Sequence, residues 1–193
     1  MALNVVNNVR IYGLEETMRV CKFPMSTDLS RIEVNDKRLL ALGMTGTGEG
    51  HDNALCGIVV QFDLTFSNKA WVEAERYHFF DIVSSQSTMH RIAKFDLDNA
   101  YMEYVDKRMI EIMKEKVEEY NNTENPEEKK IKYLEVLYSN PCGFKLTAGM
   151  TTNYRQLKTI YKQRRTHRLP EWQAFCDWCE TLPYSELITG KKD

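Results

Sequence analysis

Residues 56–66, CGIVVQFDLTF, alternate between apolar and more polar side chains, and this alternation constrains the fold more than any other feature. Successive side chains of a strand point to opposite faces of a sheet, so the pattern predicts a strand with one buried face. A sheet must therefore form part of the fold. The residues of the apolar face are Ile58, Val60, Phe62, Leu64 and Phe66.

The segments around this strand favour one more strand and several helices. Residues 3–12 are rich in β-branched side chains and predict a strand, and residues 15–23 predict a short helix. Residues 36–44 predict a helix that ends near Gly43. Residues 69–83 space their apolar positions three to four residues apart, as a helix does. The inner side of that helix would carry Trp71, Ala74, His78 and Ile82.

The middle of the chain is rich in charged residues with helical spacing. Residues 98–132 predict a long helix that is broken at 121–130 and followed by a second helix through Leu137. Its apolar stripe indicates a core or a subunit interface rather than a cofactor site. The stripe consists of Met102, Val105, Met109, Ile112, Met113 and Val117. Together these elements predict an α/β (α+β) fold with a central sheet and long flanking helices.

The balance of charges limits the classes of partner. The formal net charge is −2, so the chain as a whole does not attract nucleic acid or an anionic membrane, and any anion site must be local. The sequence contains no run of about 18 apolar residues, which is the length needed to span a bilayer, and its N-terminus lacks a secretory pattern. We therefore expect a cytoplasmic protein with no membrane contact, one domain over residues 1–193 and a frayed tail at 189–193.

The five cysteines are scattered along the chain, which favours reduced thiols over a disulfide framework. Cys176 and Cys179 form a single Cys-x-x-Cys pair, and no second pair completes a zinc site. We expect structural thiols and no bound metal.

The stretch at residues 151–175, TTNYRQLKTIYKQRRTHRLPEWQAF, carries cations without acids over most of its length. Cations on a plain surface helix usually alternate with acids, so an anion is expected as the missing partner. The spacing predicts a helix capped by Thr151 or Thr152. Asn153 and Arg164 fall on the same side of that helix and would point into one cleft.

This stretch resembles the C-terminal signature of the flavin-dependent thymidylate synthases. In that family an Asn-x-Arg precedes a leucine, a second arginine, a histidine and a closing tryptophan. The matching residues here are Asn153, Arg155, Leu157, Arg164, His167 and Trp172. Upstream, residues 50–64 resemble the family's Gly-His-Glu-Thr/Ser-Pro stretch and the strand after it, and Pro141 matches a loop proline. The similarity covers most of residues 36–175.

The resemblance implies an α/β domain that assembles as a homotetramer, with active sites where subunits meet. Such enzymes bind FAD and dUMP, a pyrimidine nucleotide, and take a methylene group from a folate, while the reduced flavin supplies the hydride. The flavin contacts that it implies are His51, Asn53, Asn153 and Arg155. Arg164 would hold the dUMP phosphate, and His167 of the same signature would also lie on the substrate side. Arginine suits this role because its planar guanidinium can bind phosphate through two nitrogens.

The family's most specific motif is Arg-His-Arg followed by Glu-x-Ser-x-Arg-Tyr, and residues 75–91 replace it with a sequence that allows two registers. The first register pairs Arg91 with the arginine that contacts dUMP and leaves Phe79–Asp81 where Arg-His-Arg would stand. The second register offers uncharged or weakly basic replacements. They are His78 on the flavin side and Gln86, Thr88 and His90 on the substrate side. In the first register FAD loses its usual positive partners, whereas the residues of the second register could still hydrogen-bond a nucleotide with much less fixed charge.

A non-catalytic protein of the same fold, such as bacteriophages encode, is the alternative. It would act on a nucleotide, a nucleic acid or a protein partner. Lys162, Arg165 and Arg168 form a basic patch beside aromatic residues, which would suit RNA or DNA. His51 as an exposed loop histidine and His78 as a core or interface histidine also remain open.

Overall fold

The computed structural model describes residues 3–47 and 49–191. The strands are β1 (Val6–Tyr12), β2 (Val59–Ser67), β3 (Asp81–Ser85) and β4 (Lys145–Asn153). The helices are α1 (Leu14–Val20), α2 (Lys37–Gly43), α3 (Asn68–Ala74), α4 (Thr88–Arg91), α5 (Lys107–Asn122), α6 (Pro126–Ser139), α7 (Tyr154–Arg164), α8 (Pro170–Cys179) and α9 (Glu186–Thr189). Short 3₁₀ turns cover Phe23–Met25, Leu29–Arg31, His51–Gly57 and Ile92–Lys94.

The strands form an antiparallel sheet in the order β1-β2-β4-β3. The predicted alternation in β2 is confirmed, because its apolar residues from Val60 to Phe66 are buried and the residues between them are more accessible. The strand and helices expected at residues 3–12, 15–23 and 36–44 are also confirmed, as β1, α1 and α2. The mixture of sheet and helices agrees with the predicted fold class.

Strand β4 was not predicted, because the sequence indicated only the helix that follows it. The segment instead pairs with β2 along its whole length, from Val59 opposite Asn153 to Ser67 opposite Lys145. The helix after it begins at Tyr154 and is capped by Asn153, whose Oδ1 accepts a hydrogen bond from the Gln156 N–H at 2.9 Å. The predicted caps Thr151 and Thr152 are therefore wrong, since both residues belong to the strand.

The helix predicted at residues 69–83 is wrong in its second half. Helix α3 ends at Ala74, the chain turns, and β3 begins at Asp81 and pairs with β4. Phe79 adopts a left-handed conformation with φ of 58°, and Phe80 packs into the core at 6.2 Å from the Phe62 ring. His78 and Ile82 therefore do not continue the helical stripe. Side-chain packing in the turn and pairing with β4 override the local spacing.

The long central helix is shorter than predicted. Helix α5 begins only at Lys107, where the Asp106 side chain accepts the Arg108 N–H at 2.9 Å, and residues 98–106 are irregular. Of the predicted stripe, Met113 is fully buried, whereas Met109 is 40% and Ile112 is 42% exposed. Helices α5 and α6 pack on a second, smaller core. This core consists of Ile92, Leu97, Ala100, Tyr101, Met113, Val136 and Phe144. No helix among the described residues has the length and apolarity needed to cross a bilayer.

The sheet places both ends of α7 against other segments. The start of β2 lies beside the end of β4, so the 3₁₀ turn at His51–Gly57 contacts the first turn of α7. Helix α7 has 11 residues and is therefore about 16 Å long. Its far end packs near α3 and α8, where Trp172 is fully buried and its ring lies 4.8 Å from Phe66. Each end of α7 thus has its own set of polar neighbours.

Candidate functional site

The N-terminal end of α7 is joined to the 3₁₀ turn through one buried carboxylate. Asp52 is fully buried and accepts a hydrogen bond from Arg155 Nε at 3.2 Å, and Lys158 Nζ lies 3.5 Å from its other oxygen. Lys158 Nζ also donates to the carbonyl oxygens of Gly43 at 2.7 Å and Thr45 at 2.6 Å. A buried charge is tolerated when it is paired and hydrogen-bonded, and both conditions hold here.

Most of the residues expected on the flavin side lie near this end. Arg155 Nη1 donates to Asn53 Oδ1 at 3.2 Å, and Asn153 is the cap of α7. His51 begins the 3₁₀ turn and is exposed to solvent. His78 is the exception, because it lies in the turn between α3 and β3 and lines a cleft that runs along α7 from Gln156 to Arg164.

The C-terminal end of α7 holds Arg164 in a fixed position. Its Nε donates to the Tyr77 hydroxyl at 2.7 Å, and its Nη1 donates to Glu73 Oε2 at 2.9 Å. The guanidinium carbon lies 4.8 Å from the Trp172 ring centre and 5.4 Å from that of Tyr77, within the range of cation–π attraction. Arg164 is therefore oriented by two hydrogen bonds and two rings.

Glu73 collects several donors at this end. Besides Arg164, its carboxylate accepts from Trp172 Nε1 at 3.1 Å and lies 3.2 Å from His167 Nε2 and 3.4 Å from Lys69 Nζ. Burial raises the pKa of Glu73, but the charge of His167, the hydrogen bond from Lys69 and the charge of Arg164 outweigh burial, so its pKa lies below the usual value. Glu73 is consequently ionised at neutral pH.

His167 takes part in this cluster through one defined nitrogen. Its Nδ1 accepts a hydrogen bond from the Leu169 backbone N–H at 3.2 Å. Its other ring nitrogen, Nε2, faces the Glu73 carboxylate at 3.2 Å.

A cleft of about 260 Å³ opens beside this cluster, between α7 and the turn after α3. Arg164 and His78, both expected to contact ligands, line it together. The lining contains two arginines, a histidine, two amides and two hydroxyl groups, and it contains no carboxylate. Its residues are Arg76, Tyr77, His78, Gln156, Thr159, Gln163 and Arg164. Such a lining suits a polar, anionic ligand.

The other residues expected to bind substrate lie elsewhere. Gln86 and Arg91 line a second cleft of about 400 Å³ with Ser87, Lys94, Phe95 and Asp96. Gln86 Oε1 accepts the Thr147 N–H at 2.9 Å, so its carbonyl oxygen is already engaged. Thr88 begins α4 and its carbonyl oxygen accepts from the Tyr133 hydroxyl at 3.3 Å. Of the predicted substrate residues, Arg164 thus lines the first cleft, Gln86 and Arg91 line the second, and Thr88 and His167 line neither.

Most cations of residues 151–175 already have carboxylate partners. Arg155 is paired with Asp52, Arg164 with Glu73, and Arg165 with Asp177 at 2.8 Å and Glu180 at 3.3 Å. The expectation that this stretch lacks anionic partners is therefore wrong for these three arginines. Glu73 and Tyr77 were not predicted, because no local motif in the sequence marks them.

The cysteines play no part in either cleft. Cys176 and Cys179 of α8 are buried in the core, and burial raises the pKa of the Cys176 thiol to about 12. Within residues 3–47 and 49–191, no group of three or more His, Cys, Asp or Glu side chains is arranged to hold a metal ion.

Comparison with known proteins identifies the fold. No protein-family model and no curated protein matches this chain. Solved structures do match, among them the flavin-dependent thymidylate synthase ThyX from Helicobacter pylori complexed with FAD and dUMP, with a TM-score of 0.66, 18% sequence identity and coverage of 96% of this chain and 97% of that chain. A second structure of Helicobacter pylori ThyX with FAD and dUMP gives a TM-score of 0.71 at 16% identity, and 97% of each chain is covered. The chain therefore has a ThyX-like fold.

Proposed function

We propose that this protein binds a pyrimidine monophosphate of the dUMP type in the cleft beside Arg164. The observation that carries the proposal is that Arg164 and His78 line one cleft with Arg76 and no carboxylate. The similar structures contain dUMP, which adds support for a nucleotide as the ligand.

Arg164 would bind the phosphate through its remaining nitrogen. Two of its nitrogens, Nε and Nη1, already donate to Tyr77 and Glu73, so Nη2 is the nitrogen left for an incoming phosphate oxygen. Arg76 and His78 also line the cleft and would add hydrogen bonds at its mouth. A hydrogen bond to a charged group contributes roughly 1.5 to 3 kcal/mol.

The pyrimidine ring would be recognised by uncharged groups. Gln156, Thr159 and Gln163 project from α7 into the same cleft. Gln163 Oε1 accepts a hydrogen bond from the Tyr77 hydroxyl at 2.9 Å, which leaves its amide nitrogen as a donor for a ring carbonyl. Amides and hydroxyls pair with both the donors and the acceptors of a uracil edge. They would therefore favour a pyrimidine over an inorganic anion.

A flavin fits this chain less well than a nucleotide does. At the start of β3, Phe79 is exposed, Phe80 is buried and Asp81 is exposed and acidic, so this segment offers no cation to a diphosphate. Arg155 and Asn53 remain candidate flavin contacts at the other end of α7. We therefore assign no step of reductive methylation, and neither folate use nor assembly as a homotetramer enters the proposal.

Titration calorimetry with dUMP tests the proposal. Arg164→Ala should weaken dUMP binding by about 2 kcal/mol, because it removes a charged hydrogen bond to the phosphate. Arg165→Ala is the matched control, since the neighbouring arginine pairs with Asp177 and Glu180 instead. Equal dUMP affinity of Arg164→Ala and the parent protein would contradict the proposal. FAD that stays with the protein after free FAD is removed by gel filtration would extend the proposal to a flavoprotein.

A further inference from the structure

We propose that Glu73 is the specificity-determining residue of the Arg164 cleft and that it limits the negative charge a ligand can carry there. The inference rests on the proposed function, because it concerns the same cleft and the same ligand class. It predicts that removal of the Glu73 charge strengthens the binding of a nucleoside monophosphate and leaves the binding of the uncharged nucleoside unchanged. Glu73 belongs to α3 and was not suggested by any sequence pattern.

The hydrogen bonds of Arg164 restrict how its guanidinium can bind a phosphate. A guanidinium binds a phosphate best through two neighbouring nitrogens. Nε of Arg164 donates to Tyr77 and Nη1 donates to Glu73, so each two-nitrogen edge of the group includes one nitrogen that already has a partner. Nη1 keeps a second N–H group and Nη2 has two, so a phosphate on the Nη1–Nη2 edge would share Nη1 with the Glu73 carboxylate. Glu73 thus competes with the ligand for the same cation.

The Glu73 carboxylate lies close enough to the cleft to repel a negatively charged ligand. Its carboxylate lies 2.9 Å from the cation that lines the cleft, and its side chain is only 16% exposed, so solvent screens it weakly. The groups that face it are Lys69 on α3, Arg164 on α7, His167 in the following segment and Trp172 on α8. Each added phosphate on the ligand would increase the repulsion from Glu73. An uncharged nucleoside would not experience it.

The substitution Glu73→Gln separates charge from shape. Glutamine has the same size and keeps a carbonyl oxygen that can accept from Arg164 Nη1 or Trp172 Nε1, so Arg164 stays oriented. Only the negative charge is removed. Glu75→Gln is the matched control, because Glu75 lies two residues along the chain, is exposed and lines no part of the cleft.

The experiment compares the affinities of dUMP and deoxyuridine by calorimetry. Glu73→Gln should bind dUMP about tenfold more tightly than the parent protein, whereas its affinity for deoxyuridine should change by less than about twofold. Glu75→Gln should leave both affinities within about twofold. Equal or weaker dUMP binding by Glu73→Gln, with dUMP still bound by the parent, would overturn the role of Glu73 and leave the proposed function intact. Absence of dUMP binding in every variant would overturn both.

A second substitution tests the same charge without altering the buried cluster. Lys69 is 58% exposed and lies 3.4 Å from Glu73, where it neutralises part of the carboxylate charge. Lys69→Gln should weaken dUMP binding by about twofold to threefold and leave deoxyuridine unchanged. Stronger dUMP binding in this variant would contradict the inference. Because Lys69 is exposed, this variant remains informative if Glu73→Gln does not fold.

Discussion

The two ends of α7 use the same chemistry in different surroundings. At the N-terminal end, Arg155 and Lys158 converge on Asp52, which is fully buried, and Lys158 has three acceptors. At the C-terminal end, Arg164 is paired with Glu73 and borders an open cleft. Its Nη2 donates a hydrogen bond to none of the described residues. The first group joins the helix to the loop before β2, and the second group is accessible to a ligand.

The difference between the two ends shows that the run of cations in residues 151–175 does not form a single site. The cations at the N-terminal end fix the helix, because their acceptors are the backbone carbonyls of buried Gly43 and half-buried Thr45 and the buried carboxylate of Asp52. Removing a partner there leaves a charge without compensation in the interior, which costs more than losing a surface ion pair. Substitutions at the two ends should therefore affect different properties, stability at one and nucleotide binding at the other.

The largest effect is expected from Asp52→Asn at the N-terminal end. The substitution should lower the free energy of unfolding by about 3 kcal/mol, because Lys158 and Arg155 lose their buried counter-charge. Chemical denaturation followed by circular dichroism measures it. Asp98→Asn is the control, since Asp98 forms an exposed ion pair with Lys114. A loss below about 1 kcal/mol would show that the N-terminal group is not structural and would remove the contrast between the ends.

A smaller loss is expected from Lys158→Met. Methionine fills the same space but cannot donate to the carbonyl oxygens of Gly43 and Thr45, so the free energy of unfolding should fall by about 2 kcal/mol. Binding of dUMP to the folded variant should stay within about twofold of the parent, because Lys158 does not line the Arg164 cleft. A large loss of dUMP affinity with unchanged stability would reverse the assignment of the two ends.

The smallest effect concerns the pH dependence of stability at the C-terminal end. The pKa of Glu73 lies below its ordinary value of 4.5 in the folded protein, chiefly because His167, Lys69 and Arg164 outweigh the opposing effect of burial. A lowered pKa stabilises the fold above the unfolded-state value, and this stabilisation is lost as the pH falls through the folded-state value. The stability difference between the parent and Glu73→Gln should therefore shrink below about pH 4.5.

The control for this measurement is Glu75→Gln, which should show a nearly constant difference from the parent over the same pH range. Denaturation at several pH values between neutrality and acid provides the comparison. A difference for Glu73→Gln that grows as the pH falls would contradict the assigned charge state of Glu73.

The sequence predicted the parts of the fold in which one element has its own clear pattern. Strand β2 was predicted because one of its faces is buried and the other is not. Strand β3 was missed because all of its residues are exposed, so no alternation marks it. Strand β4 was missed because small and polar residues such as Gly149 weaken its pattern, and pairing with strands far away in sequence holds it in place.

The sequence predicted the cations of the candidate site but not the carboxylates that pair with them. Arg164 and Arg155 were selected from the sequence, but their carboxylates lie about a hundred residues away, at Glu73 and Asp52. No local pattern reports such a pairing. These ion pairs are visible only in the structure. They divide the basic stretch, which the sequence predicted to be one anion site, into two separate groups.

A crystal structure of the protein grown with dUMP tests the central claim most directly. The account predicts that the phosphate lies within hydrogen-bonding distance of Arg164 Nη2 and that Arg155 remains paired with Asp52. A phosphate bound to Arg155 at the N-terminal end of α7, with the Arg164 cleft empty, would contradict it.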